Sequence, residues 1–360
     1  MSLFLCVDCG GTKTAAAIAD ADGKIVGRGS GGPSNITYLS PERFILSAKE
    51  AILTALKTAR PSEHEVSNSL PPTTSESPFA AAWFGISGAD SPAAIERVAP
   101  LISALLGLPI GSKLVIANDT HLLAAPLRIH SDVSQAIAVI SGTGSIAVSF
   151  AQGEGKIEEM GRVGGWGWIL GDEGSGFDVG REALRQILRA QDKSTITGTP
   201  LPPSTLIDRI LETFGVTSVM EILGGVYLAD PVPDAPNDGS LSAFLNRSRE
   251  KRISSLPPLI FDSAFEHKDP LAIDIVKACA GHLGDQIGML LGDGVEGASR
   301  SVVADQSVLS FGGSLVGVEA YRQLVVEDIA KRGHIFRRVV FISDAAEAGA
   351  VGLSVSMTTA

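Results

Sequence analysis

The sequence is poor in the residues that mark several classes of protein. Its 360 residues include only 3 cysteines, which are too few for a disulfide framework. The formal charge is −11, with 29 basic and 40 acidic side chains, and this balance argues against a nucleic-acid surface. No run reaches the roughly 18 apolar residues of a membrane helix, and the first residues include no basic leader of the kind that begins a signal peptide. These shortages predict a soluble, cytoplasmic protein that binds neither nucleic acid nor membrane.

The few cysteines do not form a recognisable metal or redox site. Cys6 and Cys9 have the C-x-x-C spacing, but no second cysteine pair or histidine cluster lies near them in the sequence. Cys279 stands alone in an apolar segment with helical spacing. Free cysteine is among the residue types most often buried. We therefore expect small buried side chains at all three positions.

Glycine, by contrast, is abundant: 40 residues, or about 11% of the chain against a usual ~7%. Two glycine-rich turns, at residues 10–14 and 141–145, each lie between two apolar runs that predict β-strands. The tip of such a hairpin offers backbone N–H groups and hydroxyls with no bulky side chain in the way. Two tips that face each other would hold a polyphosphate from both sides, which predicts a nucleotide clamp.

Neither turn fits the common nucleotide-binding patterns. The Walker pattern is absent because no glycine directly precedes Lys13. Residues 142–147 match the letters of a G-x-G-x-x-A dinucleotide fingerprint, but residues 145–150 alternate and are β-branched. They predict a strand where the fingerprint needs a helix. We therefore do not expect NAD binding.

The order of predicted elements indicates an α/β fold that is duplicated. Residues 3–30 predict three antiparallel strands, and residues 80–86 and 113–117 predict two more, with helices from Pro41 and Pro92 between them. The same beginning recurs from residue 136. We expect surface loops at 61–79, 192–204 and 230–240, and a last strand at 339–342. A small-residue helix at 345–352 is predicted to return to the first domain.

Two aspartates end predicted strands. Asp8 comes just before the first glycine-rich turn, where a buried acid would serve either a cation or the N–H groups of the turn. Asp119 follows the predicted strand 113–117 and lies at its carboxyl end, where open α/β sheets place ligands. It could accept a proton from a substrate hydroxyl or cap the helix that follows.

Two further segments suit a nucleotide. Thr12 and Lys13 add a hydroxyl and a cation to the first turn, a combination that suits a phosphate. Residues 310–314 place two glycines directly after a strand. A flat base could lie on this backbone, and a tight strand–helix turn would need the same residues.

Residues 161–176 form the most unusual stretch, with seven glycines and two of the three tryptophans. Glycines let the backbone close on a ligand, and the face of a tryptophan ring suits the C–H surface of a sugar. Asp172 and Glu173 can accept hydrogen bonds from sugar hydroxyls. A packed turn is the structural alternative. A glycosidase is disfavoured, because carboxylates adjacent in sequence rarely flank a glycosidic bond.

In this order, these segments resemble the sugar kinase/Hsp70/actin superfamily. Within it they are most similar to the N-acetylglucosamine kinases, in the group that also holds the BadF/BadG/BcrA/BcrD ATPases. The segments that carry the resemblance are Asp8-Cys9-Gly10-Gly11-Thr12, Ser34-Asn35, Gly85-Ile86-Ser87-Gly88-Ala89-Asp90, Asn118-Asp119, Ser141-Gly142-Thr143-Gly144-Ser145, Gly164-Gly165-Trp166-Gly167, Gly171-Asp172-Glu173-Gly174-Ser175 and Gly312-Gly313-Ser314.

The resemblance implies two ribonuclease H-like (actin-like ATPase) domains around a central cleft, each a mixed five-stranded sheet with flanking helices. The first would comprise residues 1–118 with 345–360, and the second residues 119–344. Asp119 would be the catalytic base and Asp8 would act on Mg²⁺. The implied contacts are Gly10, Gly11, Thr12, Lys13, Thr143 and Gly144 with the phosphates of ATP, Gly313 and Ser314 with its adenosine, and Asn35, Asp119, Gly165, Trp166, Gly167 and Asp172 with the sugar.

The activity implied is transfer of a phosphoryl group from MgATP to the 6-hydroxyl of N-acetylglucosamine. Glucosamine is the nearest competing acceptor, and N-acetylmannosamine is not separated from it by the sequence. An ATPase of the BadF type that activates a partner reductase is a second alternative, although it needs cysteines for an iron–sulfur cluster. The cysteine-rich zinc motif of the related ROK sugar kinases is missing. A homodimer is compatible with the resemblance, and the sequence leaves open whether Trp168 contacts the sugar.

Overall fold

A computed structural model describes residues 2–59, 69–72, 77–153, 156–232 and 242–358. The first half of the chain forms a mixed five-stranded sheet in the order β3-β2-β1-β4-β5. β1 to β3 are antiparallel neighbours, while β4 and β5 run parallel to β1. The strands are β1 (Phe4–Cys9), β2 (Thr14–Ala19), β3 (Ile25–Gly31), β4 (Ala81–Ile86) and β5 (Leu114–Asn118).

A second mixed sheet repeats this plan in the order β10-β9-β6-β7-β8. β6 to β8 are antiparallel neighbours, and β9 and β10 run parallel to β6. The strands are β6 (Gln135–Ser141), β7 (Ser145–Gln152), β8 (Ile157–Gly164), β9 (Ser307–Gly312) and β10 (Arg338–Phe341). The predicted α/β fold and its duplication are therefore confirmed, and β7 is the strand expected where a dinucleotide fingerprint would need a helix.

Eleven α-helices cover the sheets in the part of the chain that the structure describes. They are α1 (Pro41–Ala59), α2 (Pro92–Leu106), α3 (Pro126–Ile129), α4 (Gly176–Thr197), α5 (Thr205–Phe214), α6 (Ile222–Tyr227), α7 (Arg249–Ser254), α8 (Pro257–Phe265), α9 (Pro270–Leu291), α10 (Glu319–Lys331) and α11 (Ala345–Thr358). Residues at both ends of α2 are typical of helix termini: the Ser91 side chain caps its N-terminus, Pro92 begins it as predicted, and Gly107 ends it with φ +65°.

The first sheet is buried on both faces. α1 and α2 cover one face, and α1 lies so close to β3 that a Cβ at Gly29 would lie 2.1 Å from the carbonyl oxygen of Ala51. α11 covers the other face, where a Cβ at Gly349 would lie 2.3 Å from Sγ of Cys6. Close contact of this kind needs small residues, which explains the composition of the last helix. The predicted return of this helix to the first sheet is confirmed.

A short 3₁₀ helix, Asp119–Ala124, joins the two sheets. Leu122 packs with α11 and the first sheet, while Leu123 and Ala124 pack with β6 and β7 of the second sheet. Consecutive side chains of one turn therefore belong to the cores of both halves. The position of Asp119 consequently depends on the packing of both.

One predicted loop is partly wrong. α4 continues through residues 192–197 and ends at Gly198, whose φ of +68° terminates it. The polar composition reflects the exposed side of a long helix rather than a loop. Residues 61–68, 73–76 and 233–240, which fall in the other two predicted loops, lie outside the described residues. Leu70 and Phe79, within the predicted loop 61–79, are buried in the core of the first sheet.

Two predictions from composition concern the burial of the cysteines and the character of the helices. All three cysteines, Cys6, Cys9 and Cys279, are buried, as expected. Within the described residues, no single helix has the length and apolar character needed to cross a membrane. One bent pair of helical segments, Thr205–Phe214 with Val219–Tyr227, meets that test only when the two are taken together.

Candidate active site

The first glycine-rich turn is the open tip of the β1–β2 hairpin. The N–H of Gly10 donates to the carbonyl of Lys13 at 3.0 Å, and the Gly10 carbonyl accepts from the N–H of Ser34 at 3.0 Å. Gly11, Thr12 and Lys13 are exposed. A Cβ at Gly11 would have no other atom within 4 Å. The protein itself leaves the space above Gly11 empty, as a phosphate site requires.

We expect Gly11→Ala to impair use of ATP without loss of stability. The φ of Gly11 is not positive and its Cβ meets no protein atom, so the folded chain accepts the methyl group. Displacement of a phosphate by a methyl group should lower kcat/KM for ATP by about 10²-fold. The measurements are ATP-dependent initial rates and thermal unfolding.

Gly313→Ala provides the contrast for that variant. Its φ is +101° and its Cβ would lie 2.4 Å from the carbonyl oxygen of Ser141, so the chain must shift. We expect a loss of roughly 1–3 kcal/mol in the free energy of unfolding. Equal thermal stability of the two variants would contradict this distinction.

The second glycine-rich turn connects β6 to β7 and is held by the loop before α4. The N–H of Gly142 donates to the carbonyl of Gly144 at 3.0 Å. The carbonyls of Gly142 and Thr143 accept from the N–H groups of Gly176 at 2.7 Å and Phe177 at 3.2 Å. Thr143 is exposed at the tip. The tip is thus rigid and presents a hydroxyl.

Asp172 is the side chain that fixes this tip. It has a φ of +63° and is only 8% exposed, and its Oδ1 accepts from the N–H of Ser145 at 3.1 Å. A Cβ at Gly144 would lie 2.8 Å from the same oxygen, which explains the glycine. Burial raises the pKa of Asp172, and the Ser145 N–H opposes that shift. Asp172 thus supports the second glycine-rich turn, and its contact with a sugar stays a prediction.

A cavity of about 550 Å³ opens beside the second tip. Gly142, Thr143 and Ser314 line one side of it, and Pro257 and Phe261 of α8 line another. Its volume is in the range of small-molecule sites. Its size and position would suit the adenosine of a nucleotide whose phosphates lie at the tip. Pro257 and Phe261 were missed from the sequence because an apolar helix face looks the same whether it lines a core or a ligand.

Asn35 and Asp119 both lie beside Ser87, at the other end of the site. The Asn35 amide donates from Nδ2 to Oγ of Ser87 at 3.2 Å, and its Oδ1 accepts from the N–H of Thr37 at 2.8 Å. The Ser87 hydroxyl also lies near enough to the Asp119 carboxylate to lower its pKa. A Cβ at Gly88 would lie 2.9 Å from Oδ1 of Asn35, so the chain must be glycine there.

Asp119 does not cap the helix that it begins. The capping side chain is Asn118, whose Oδ1 accepts from the N–H of Thr120 at 3.0 Å. Burial raises the pKa of Asp119, and the Ser87 hydroxyl opposes that shift. The sequence offered two roles for Asp119, proton acceptor or helix cap, and Asn118 takes the second of them. The Asp119 carboxylate is left for other chemistry.

Asp8, Asp119 and Asp344 form a group of carboxylates at the ends of three strands. Burial, and then the charges of Asp119 and Asp344, raise the pKa of Asp8 to about 6, while Lys13 lowers it. A divalent cation would relieve this repulsion, and carboxylate oxygens are the ligands that Mg²⁺ prefers. Asp344 already pairs with Arg28 and accepts from the N–H of Glu347, so Asp8 is the carboxylate left for the predicted magnesium. The sequence reading missed Asp344, whose only signal is its position just after the last strand.

The loop after β8 carries exposed apolar side chains. Gly164, Gly165 and Gly167 have φ values of +79°, +72° and +78°. Trp166 is 65% exposed, whereas the Trp168 ring lies 5.4 Å from that of Phe177. Trp168 therefore packs behind the loop, and Trp166 is the tryptophan that is free to meet a ligand.

A buried network that the sequence reading missed supports the loop before α4. Asp178 is fully buried, and its Oδ2 accepts from the N–H of Gly174 at 2.8 Å and lies 2.7 Å from Nδ1 of His282. Its Oδ1 accepts from Arg181 at 2.6 Å. Cys279 also has its sulfur near these atoms, a set that could hold a metal ion. The bonds from Arg181 and Gly174 use the carboxylate, so we assign the network to positioning of the loop.

His282→Gln should change how stability depends on pH. The hydrogen bond to Asp178 raises the pKa of His282 from 6.5, so the protonated ring stabilises the folded state. This contribution is fully present below about pH 6.5 and is lost as pH rises through the raised value. We expect the melting-temperature difference between wild type and variant to be larger at pH 6 than at pH 9. His267→Gln, at an exposed histidine, is the control, and an equal difference at both pH values would contradict the assignment.

The chain is similar in sequence to a known protein family and to individual members of known activity. The sequence matches the BadF/BadG/BcrA/BcrD ATPase family over residues 5–353. It is 32% identical over 193 residues to an N-acetylmuramic acid/N-acetylglucosamine kinase of Clostridium acetobutylicum, and 27% identical over 225 residues to an N-acetyl-D-glucosamine kinase of Dictyostelium discoideum. The alignments cover 54% and 62% of this chain, and 56% and 64% of those relatives, which is less than two thirds of their length.

Solved structures share the fold. The structure of a proposed N-acetylglucosamine kinase from Porphyromonas gingivalis aligns with a TM-score of 0.59, covering 99% of each chain at 23% identity. A likeness at this identity shows a common architecture, which is the one expected from the two duplicated sheets.

Proposed function

Because the chain belongs to the BadF/BadG/BcrA/BcrD ATPase family, we propose that it is an ATP-dependent kinase of N-acetyl-D-glucosamine. The products would be N-acetylglucosamine 6-phosphate and ADP. The observation that carries the proposal is Asp119, a half-buried carboxylate that caps no helix and lies beside Ser87, which accepts from the Asn35 amide. A base near an amide donor of this kind suits a sugar hydroxyl. The names of the two curated relatives support the same substrate class.

The proposed reaction is an in-line phosphoryl transfer. The 6-hydroxyl oxygen bonds to the γ-phosphorus, the bond from that phosphorus to the bridging oxygen breaks, and ADP leaves. Asp119 accepts the hydroxyl proton. Thr12, Thr143 and the N–H groups of both tips hold the phosphates, and Lys13 balances their charge. Asp8 would hold Mg²⁺, which would neutralise charge on the transferred group.

We further propose that the two halves close on the sugar. The first domain would comprise residues 1–118 with 345–360, and the second residues 119–344. Asn35 and Asp119 would bind the sugar from one side. Gly165, Trp166, Gly167 and Asp172 would approach it from the other. The exposed Trp166 ring would be covered on closure, which excludes water and limits ATP hydrolysis.

A glucosamine kinase and an activator of a partner reductase are the alternatives that the experiment below distinguishes. Glucosamine differs from N-acetylglucosamine only at the 2-substituent, which the pocket must distinguish by shape and hydrogen bonding. An activator of a partner reductase needs cysteines for a cluster between subunits, and all three cysteines here are buried. Burial of these thiols favours the kinase. The proposal places the enzyme in the cytoplasm.

The experiment is ADP release from MgATP with no sugar, glucose, glucosamine, N-acetylglucosamine, N-acetylmannosamine and N-acetylmuramic acid. We expect release to be strongest with N-acetylglucosamine, and phosphorus NMR should place the phosphate on the 6-oxygen. Release with glucosamine alone would overturn the substrate and keep the mechanism. Release that does not depend on sugar would overturn the kinase in favour of an ATPase.

A further inference from the structure

A second cavity, of about 390 Å³, lies between the two halves of the chain. Trp83 of β4 and Val115 of β5 line it from the first sheet, and Ile146 and Val148 of β7 line it from the second. None of the residues assigned above to ATP, magnesium or the sugar is in its lining. Its volume is nevertheless within the range of small-molecule sites.

Residues that line this cavity carry polar atoms without partners. Three lining residues each have a buried nitrogen with no hydrogen-bond partner among the described residues: Nε1 of Trp83, Nδ1 of His121 and Nε of Arg128. Trp83 is 1% exposed. Buried donors are rarely left unpaired, because each loses its bonds to water on folding. The Trp83 and Arg128 nitrogens are donors, and two such donors in the residues around one cavity indicate an occupant with acceptor atoms.

Charge at the cavity is also unbalanced. Lys156 pairs with Glu158 at 2.9 Å, and Arg162 pairs with Asp90 at 3.2 Å. Arg128 has no carboxylate partner in the described part of the chain. Its NH1 donates to Oγ of Ser356 at 3.0 Å, and its guanidinium lies 4.9 Å from the centre of the Trp83 ring. Burial accordingly lowers the pKa of Arg128.

The remaining titratable groups do not supply the missing charge. Burial lowers the pKa of His121 to about 4, so the ring is neutral near pH 7. Glu159 is exposed and makes no ion pair with Arg128 among the described contacts. A guanidinium beside aliphatic walls therefore matches a single negative charge on an apolar body. A phosphate monoester, which carries about two charges at pH 7, matches less well.

We propose that this cavity binds a small monocarboxylate with an apolar body. Arg128 would hold the carboxylate, and the Trp83 N–H would donate to it after a small side-chain movement. Val115, Ile146 and Val148 would enclose the apolar part. Asn118 and Thr120, on either side of Asp119, also line the cavity. A ligand there would touch the turn that carries the proposed base.

Calorimetry tests the proposal with 4-phenylbutyrate as the probe, against its neutral amide, 4-phenylbutyl phosphate and inorganic phosphate. We expect the carboxylate to bind about 10-fold or more tightly than the amide, and more tightly than either phosphate. Arg128→Met should abolish that preference, and Arg43→Met, at an exposed arginine of α1, should leave it unchanged. No binding, equal binding of acid and amide, or a preference for phosphate would overturn the proposal.

Two variants guard against a failure of Arg128→Met to fold. Trp83→Phe keeps an aromatic ring under the guanidinium and removes only the N–H. This variant should therefore bind the carboxylate probe more weakly. Ile157→Trp should fill the cavity and block both acid and amide. Binding that persists in both folded variants would show that the probe binds elsewhere. The assay involves no phosphoryl transfer, so its result is independent of the proposed kinase reaction.

Discussion

Replacement of Asp119 by asparagine is expected to lower kcat by about 10²–10⁴-fold, the usual contribution of a general base. The amide keeps the size of the side chain, but it cannot accept the hydroxyl proton. Because Asn118 provides the helix cap, the fold should not depend on the Asp119 charge. Steady-state ADP release with saturating sugar and MgATP measures the effect.

The pH profile adds an independent check on Asp119. Burial raises its pKa, so the acid limb of the wild-type rate should lie above the range in which an exposed aspartate titrates. Ser87→Ala should lower the rate less than Asp119→Asn, since serine only positions the base. A variant Asp119→Asn that binds MgATP and turns over at a near wild-type rate would remove Asp119 from the mechanism.

The second large effect is expected at Asp8, where function and stability should change in opposite directions. Asp8→Asn should lower magnesium-dependent kcat by about 10²-fold or more, because a divalent cation supplies several kcal/mol of charge stabilisation. The same change should raise stability. Burial and the charges of Asp119 and Asp344 raise the pKa of Asp8 from 3.8 to about 6, so the ionised carboxylate is unfavourable in the fold.

The sign of the stability effect follows from that shift. Below about pH 4 the carboxyl is protonated in both folded and unfolded chains, so wild type and variant should be equally stable. As pH rises through about 6 the wild type alone acquires the unfavourable charge. At pH 8 without magnesium the variant should be more stable by about 2–3 kcal/mol. Thermal melts at both pH values measure the difference.

Asp22→Asn is the matched control for Asp8→Asn, since Asp22 is an exposed acid in the next turn of the same sheet. It should change neither turnover nor stability by a measurable amount. Added Mg²⁺ should stabilise wild type and leave Asp8→Asn unaffected. A variant at Asp8 that retains full magnesium-dependent activity, or that is less stable at pH 8, would contradict this assignment.

Much of the fold was predictable because its signals are local. The alternation of apolar residues around the two glycine-rich turns predicted both hairpins, and Ser91, Pro92 and Gly107 marked both ends of α2. The predicted loop at 192–204 was wrong at its start, because local composition misled where α4 continues to Thr197. An exposed helix face and a loop have similar polar compositions, and only the backbone conformation separates them.

Individual residues of the candidate site could be predicted from the sequence, but the contacts between them could not. Asp8 and Asp119 were chosen because each ends an apolar strand before a polar turn. The sequence reading did not reveal that Asn118 takes the cap and leaves Asp119 uncapped. Nor did it indicate that Asp172 supports the phosphate turn through the Ser145 N–H.

The sequence alone therefore determined the duplicated α/β plan, the two phosphate-type turns and the family, since each depends on residues close together in the chain. Only the tertiary structure decided which distant groups meet. Asp344 comes near Asp8 because α11 returns to the first sheet. The Trp83–Arg128 cavity exists because a 3₁₀ turn joins two sheets. The carboxylates repel one another strongly, and the buried donors lack hydrogen-bond partners, only because packing has removed the water around them.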